Sequence, residues 1–252
     1  MGDALGATGG RNSGVGGVAV LVLGIDTSTT QTSVALGSEQ GTLASVDVRV
    51  DRPHHEMVAA TVGRLLEWTG AHAGSLGGVA VGLGPGLFTG MRVGIATAKT
   101  FAQTLGIPIV GVASLDLVAF SARYARRTIC AALDAKRDEV FFAFYRPVPG
   151  GVAREAGFQV GSPDDLQGEL EARAEDILLV GSGGVVYRQR LEGSAHVELA
   201  SAGLAHPSAE ALVELAVPRF VREDFDRLYD VQPIYIRKAD AEIAWDQRRG
   251  AG

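Results

Sequence analysis

The chain has 252 residues, 46% of them hydrophobic and 21% charged, with a net charge of −6. That is enough for one large domain or two lobes with an α/β core of Val, Leu, Ala and Ile. The acidic balance argues against a protein that grips nucleic acid unaided. The single cysteine, Cys130, excludes an internal disulfide or a thiolate zinc site and suits a reducing, cytoplasmic setting.

Residues 1–17 are rich in Gly and polar residues and read as a disordered leader. No apolar run reaches the roughly 18 residues needed to span a bilayer, so no membrane attachment is expected. A buried strand over 18–26 ends in Asp26, and the polar turn Thr27-Ser28-Thr29-Thr30 follows it. Strands over 32–36 and 42–50 complete an antiparallel meander. Asp26 with Thr27 and Ser28 either presents a carboxylate and hydroxyls to a nucleotide phosphate or closes its own Asx turn.

A helix is expected over 53–69 with two apolar stripes. Val58, Val62, Leu65, Leu66 and Thr69 form one; Met57, Ala60, Thr61 and Trp68 form the other. Either a partner or neighbouring helices of the same chain cover the second stripe. Trp68 and Phe101 are assigned to internal packing. His55-Glu56 is followed by Ala59 where a zinc-protease motif needs its second histidine, so that pattern fails.

The next unit is a strand over 79–83, the turn Gly84-Pro85-Gly86, and a helix over 90–105 with Thr89 as its N-cap and Gly106 as its stop. Its faces carry Met91, Ile95 and Ala98, and also Val93, Thr97 and Phe101. A strand over 107–113 lies parallel to the previous one by the βαβ rule, and Ser114 caps a helix over 115–124. Arg123, Arg126 and Arg127 read as a solvated helix end.

A second, shorter series follows. Strands are expected over 128–133, 139–146 and 157–161, a helix from 162, a strand over 177–180, the turn 181–184 containing Gly181 and Gly183, a strand over 197–200, a helix over 207–220 and an extended piece over 232–237. The first lobe is therefore set at 18–113 and the reduced second lobe at 114–242, with the last helix and strand able to return to the first lobe and a tail at 243–252. The fold class is α/β, two ribonuclease-H-like lobes. Strand ends in such a fold face an interlobe cleft, which makes Asp26, Thr27, Ser28, Gly84, Pro85, Gly86, Gly181 and Gly183 candidate nucleotide-cleft residues. No catalytic set of nucleophile and base accompanies them.

Four segments, 23–36, 82–116, 132–145 and 233–242, resemble the bacterial TsaB (YeaZ) family. The resemblance covers about 20–242. It implies the actin-like, sugar-kinase-like ATPase fold and a part in placing N6-threonylcarbamoyl on adenosine 37 of ANN-reading tRNAs. It further implies a non-catalytic subunit that pairs with the paralogous transferase TsaD and, through it, the ATPase TsaE. Without TsaD the subunit pairs with itself. The two helices of the first lobe supply the contact, and Met57, Ala60, Thr61, Arg64, Met91, Ile95 and Ala98 are its candidate residues. TsaD holds a metal through two histidines; Ser114 and Val118 stand at those places here, so no metal is expected. No cofactor is required, ATP or ADP would sit at or near the subunit junction, and contact with tRNA is indirect. An independent ATP-dependent kinase or transferase and a metalloprotease are the competing readings.

Overall fold

The computed structural model describes residues 19–49 and 54–236. The leader, the tail beyond 236, Pro53 and the basic pair Arg248-Arg249 lie outside the described residues.

The first lobe follows the expected series. Strands β1 (Val22–Asp26), β2 (Thr32–Ser38) and β3 (Gly41–Val48) form the meander. Helix α1 (His54–Thr69) leads to β4 (Gly78–Gly82), and helix α2 (Phe88–Leu105) to β5 (Ile109–Val112). The sheet order is β3-β2-β1-β4-β5, with β1, β4 and β5 parallel. Helix α3 (Ser114–Ser121) then crosses to the second lobe.

The second lobe is built from β6 (Thr128–Lys136), β7 (Glu139–Val148), β8 (Gly151–Arg154), β9 (Gln159–Gly161), α4 (Pro163–Ala172), β10 (Ile177–Val180), α5 (Ser182–Val186), α6 (Arg188–Leu191), β11 (Val197–Leu199) and α7 (Ala209–Val221). Its sheet order, β11-β10-β6-β7-β8, is that of the first lobe read from the other edge. Strand β8 was not anticipated. It pairs with β7 across the turn at Gly150, whose φ of 80° suits glycine.

Alternation along the strands explains the layers. In β1, Leu23 and Ile25 face α1, packing with Val34, Leu36, Val58, Val62 and Leu65. Val22 faces the other side, where Leu212, Val213, Ala216 and Phe220 of α7 cover it. Gly24 lets α7 come close, since a Cβ there would meet Val213 Cγ2 at 2.9 Å. In the second sheet Ile129, Ala131 and Leu133 face Leu115, Val118 and Ala119 of α3. Cys130 and Ala132 face Leu166, Leu170 and Leu191 on the other side. Each lobe therefore lends a helix to its neighbour: α3 covers the second sheet, α7 the first. Chain beyond α7 returns along the edge of the first sheet. Asp226 N–H donates to Ile109 O (3.0 Å) and Ile234 N–H to Leu83 O (2.8 Å).

Several local expectations change. Helix α2 begins at Phe88, with Leu87 at the N-cap and no side-chain cap, so Thr89 lies in the first turn. Gly106 does end α2, at φ 64°. Ser114 is the first residue of α3, not its cap, because its hydroxyl is used elsewhere. Trp68 is 66% exposed, not packed inside.

Candidate functional site

The strand ends of both lobes meet at one junction. At the first-lobe end, Asp26 is buried and fully engaged. Its Oδ1 accepts from Ser28 N–H (2.9 Å) and Ser28 Oγ–H (2.8 Å). Its Oδ2 accepts from Ser114 Oγ–H at 2.8 Å, and Ser114 Oγ accepts in turn from Gly84 N–H at 3.0 Å. The backbone closes the same loop, Ser114 N–H donating to Gly84 O at 2.7 Å. Burial raises the Asp26 carboxyl above its usual range, and the hydrogen bonds from Ser28 and Ser114 oppose that rise. Gly82 makes room for it, since a Cβ there would stand 1.8 Å from Asp26 Oδ2.

The glycine turn and the hydroxyl turn are packed on each other. Leu87 N–H donates to Ser28 O at 2.7 Å. A Cβ on Gly86 would meet that oxygen at 2.1 Å. Thr27 Oγ1 donates to Gly90 O at 2.7 Å. A Cβ on Gly90 would come within 2.0 Å of Thr27 O, and one on Gly94 within 2.4 Å of Thr27 Oγ1. Gly181 and Gly183 do the same in the second lobe, against Ala132 of β6. The structure corrects the expected cleft accordingly. Asp26, Thr27, Ser28, Gly84, Pro85, Gly86, Gly181 and Gly183 sit in close packing at the strand ends, and none of them is among the residues lining the interlobe cavity.

One cavity between the lobes, lined by described residues, has a volume of about 210 Å³. Thr29, Thr30, Arg49 and Leu87 line it from the first lobe; Asp134, Lys136, Ser182, Val185 and Val186 from the second; Ala205 and His206 from the segment before α7. Sequence reasoning missed Arg49, Asp134, Lys136 and His206. Asp134 stands at the register shift near the end of β6, and, as with Asp26, its Oδ1 accepts from the N–H two residues on, Lys136, at 2.9 Å. That repeat is a signal which aligning the two lobes would have found. The Lys136 ammonium lies 2.7 Å from Asp134 Oδ2. His206 stands between Thr29 Oγ1 (3.1 Å) and Arg49 Nη1 (3.3 Å). Burial, then the Arg49 charge, hold its imidazole below the ordinary value, while Asp47 acts the other way.

The two positions where the resemblance implies metal-ligating histidines do not fit a metal. Ser114 Oγ is spent on Asp26 and Gly84. Val118 is 1% exposed in the core beneath the second sheet. Among the described residues no group of three or more His, Cys, Asp or Glu is placed to hold a metal ion. No helix among them is long and apolar enough to cross a membrane.

The two first-lobe helices lie side by side on one face of the sheet. Thr61, Met91, Ile95 and Ala98, taken from the sequence as partner-contact residues, point inward with exposures of 6%, 3%, 5% and 0%. The reason is that α2 is covered on more than one side. Ile95, Ala98 and Ala102 pack on β4 and β5 together with Val231 of the returning chain, and Phe101 reaches the α1 side. Met57 is half-buried, while Ala60 and Arg64 are exposed. The outward residues of the pair include Ala59, Ala60, Gly63, Trp68 and the Arg64–Glu67 ion pair on α1, with Arg92, Ala96 and Thr100 on α2.

Comparison with known proteins fits this architecture. A family model described as "TsaD: tRNA N6-adenosine threonylcarbamoyltransferase" matches residues 47–245. The tRNA threonylcarbamoyladenosine biosynthesis protein TsaB of Haemophilus influenzae is 27% identical over 91% of this chain and 97% of its own length. The Escherichia coli protein of the same name is 28% identical over 91% of this chain and 98% of its own. The structure of YeaZ from Pseudomonas aeruginosa superposes with a TM-score of 0.75 at 28% identity, covering 86% of this chain and all of that one. With a family match over most of its length and full-length relatives of one kind, the chain belongs to the TsaD family and stands with its TsaB (YeaZ) members.

Proposed function

We propose that the chain acts in tRNA threonylcarbamoyladenosine biosynthesis as a non-catalytic subunit. Its outward α1–α2 face docks on the corresponding helices of a TsaD-type transferase and so brings in a TsaE-type ATPase. The same face pairs two copies of the chain when the transferase is absent. The subunit works in the cytoplasm, needs no cofactor of its own and meets tRNA only through its partners. A nucleotide binds at or near the subunit junction rather than among the strand-end turns.

One observation carries this reading: the buried Asp26–Ser114–Gly84 network. Phosphoryl transfer needs a metal and a side chain free to hold it. Here the first-lobe carboxylate is buried and closed off by Ser114, one of the two places where the resemblance implies a metal ligand in the transferase. The outward helix face supplies the complementary support. Alanines, a glycine and a threonine on adjoining helices permit close approach of a second helix pair, and the exposed Trp68 gives such an interface an aromatic anchor. A contact of standard size, about 1,600 Å², suffices for a specific complex.

The test is co-purification with the transferase subunit, scored for threonylcarbamoyl transfer to tRNA. Ala60→Glu places a charge on the exposed face without touching the core. The expected result is loss of the complex and of transfer, with an unchanged melting temperature for the isolated chain. An intact complex would remove the α1–α2 face from the account. Sustained ATP turnover by the chain alone, abolished by Asp26→Ala, would favour the independent-enzyme reading instead.

A further inference from the structure

A separate cavity, of about 350 Å³, lies on the α7 side of the first sheet, the side away from α1. Its polar groups follow from strand register. Tyr145 of β7 and Arg154 of β8 are direct cross-strand partners, so their side chains leave the second sheet on the same face. That face is the one α3 covers. Asp116, in the first turn of α3, meets both. Its Oδ1 accepts from the hydroxyl of the buried Tyr145 at 2.8 Å and from Arg154 Nη1 at 3.2 Å. Its Oδ2 takes no donor among the described residues. Burial raises the Asp116 carboxyl above its usual range, and the bonds from Tyr145 and Arg154 oppose that rise without cancelling it.

The Arg154 guanidinium is held over the Phe158 ring, 3.9 Å from its centroid. Beyond Asp116 and the Tyr145 hydroxyl, its donors meet no acceptor among the described residues. The other cation on the wall is spent: Arg219 gives its N–H groups to Asp224, Asp226 and Gly111 O. The cavity thus presents one unused carboxylate oxygen and one partly used guanidinium to the same space. Val112, Val152 and Leu215 make the rest of the wall apolar.

We propose that this cavity binds a free aliphatic α-amino acid, with its ammonium on Asp116 Oδ2, its carboxylate on Arg154 and its side chain against Val112, Val152 and Leu215. A simple anion would have to face Asp116, and a simple cation Arg154. A zwitterion meets each with the opposite charge, and both contacts are then charge-assisted hydrogen bonds. The volume of about 350 Å³ stands at the lower end of the ~300–1,000 Å³ of ligand sites, which suits a body of this size. Val112 belongs to the first lobe and Val152 and Arg154 to the second, so the ligand touches both. The site is remote from the α1–α2 face and does not depend on the docking reading.

The experiment titrates L-leucine into the full chain by calorimetry. The control ligands are 4-methylpentanoate, which lacks the ammonium, and 3-methylbutylamine, which lacks the carboxylate. Saturable leucine binding is expected, with each control weaker by about tenfold or more. Asp116→Asn, which keeps an acceptor for the Tyr145 hydroxyl, should weaken leucine by about tenfold. Arg154→Gln changes a partly exposed side chain on the edge strand β8. It should give a similar loss with an unchanged melting temperature, which separates lost binding from misfolding. Ala60→Glu should bind leucine as wild type does, and a loss there would overturn the placement of the site. The proposal is refuted by a wild-type chain that does not saturate with leucine, by either control binding as tightly as leucine, or by an Arg154→Gln variant that binds as wild type does.

Discussion

The two lobes use one design and finish it in opposite ways. Each has an aspartate at or near the end of its first strand, a carboxylate oxygen that accepts from the N–H two residues on, and a serine from a distant helix start beside it. In the first lobe the set closes inward: Asp26 is buried, Ser28 and Ser114 are hydroxyls, and the ring is neutral apart from the carboxylate itself. In the second lobe it opens outward. Asp134 takes a lysine as its neighbour, and Ser182 gives the backbone an acceptor while keeping its proton. The same topology thus builds a structural node in one half and a polar cavity wall in the other. The difference lies in Ser28 against Lys136, not in the strands.

The comparison is broken most severely at the aspartates. Asp26→Ala strands Ser28 N–H, Ser28 Oγ–H and Ser114 Oγ–H in a dry site. The expected cost is about 3–5 kcal/mol, read as a drop in urea midpoint. Asp26→Asn keeps an acceptor for Ser28 but turns its NH2 toward Ser114 Oγ and leaves the Ser114 O–H without an acceptor, so it is expected to cost about 1–3 kcal/mol, less than Asp26→Ala. Asp134, though its side chain is only 9% exposed, borders the interlobe cavity, and two of its three partners come from the exposed Lys136, so Asp134→Ala is expected to cost about 1–2 kcal/mol, less than Asp26→Ala. Equal losses at Asp26 and Asp134 would mean that the lobes do not differ as described. Next in size are the helix-start glycines. A Cβ on Gly90 would drive into the backbone oxygen of Thr27 at 2.0 Å, whereas one on Gly183 meets the Ala132 side chain at 3.1 Å. Gly90→Ala should cost about 2–3 kcal/mol and Gly183→Ala less than about 1 kcal/mol.

The strands other than β8 and the duplication of the lobes were legible because a buried strand ending in a polar turn is a local pattern. The Asx reading of Asp26, left open beside the phosphate reading, is the one the geometry realises. The function of the glycines was not legible. A glycine beside a strand end looks the same whether it admits a phosphate or another stretch of backbone. Only the fold shows that Ser28 O and Thr27 O occupy the space. Helix faces misled for a related reason. Met91, Ile95 and Ala98 appeared surplus because one sheet buries one stripe, yet Val231 arrives from far along the chain to pack with Ile95 and Ala98, and Met91 lies against the Gly84 turn. Thr61 followed the same error, and Trp68 the reverse one. Lys136 was passed over as a turn residue because nothing local marks it as the counterpart of Ser28.

The smallest effect concerns acid. His206 has its folded-state value held below 6.5 by burial and by Arg49. His54, hydrogen-bonded to Thr32 Oγ1 at 2.7 Å, is lowered by burial too. As pH falls below about 6.5 the unfolded chain takes up these protons before the folded one, so stability present above that pH is lost on the way down. Asp26 and Asp116, both raised by burial, act with the opposite sign and only nearer the carboxylate range. The groups facing His206 are Arg49, Asp47 and Thr29, with Lys136 and Asp134 on the same cavity. His206→Gln preserves an acceptor for Arg49 and a donor for Thr29 while removing the titration. Denaturant midpoints between pH 7 and pH 5 should fall less steeply in this variant, by under about 1 kcal/mol given the partial exposure of the ring. A slope equal to that of wild type would assign the loss to His54 rather than His206. The second-lobe face of the junction would then have no part in it.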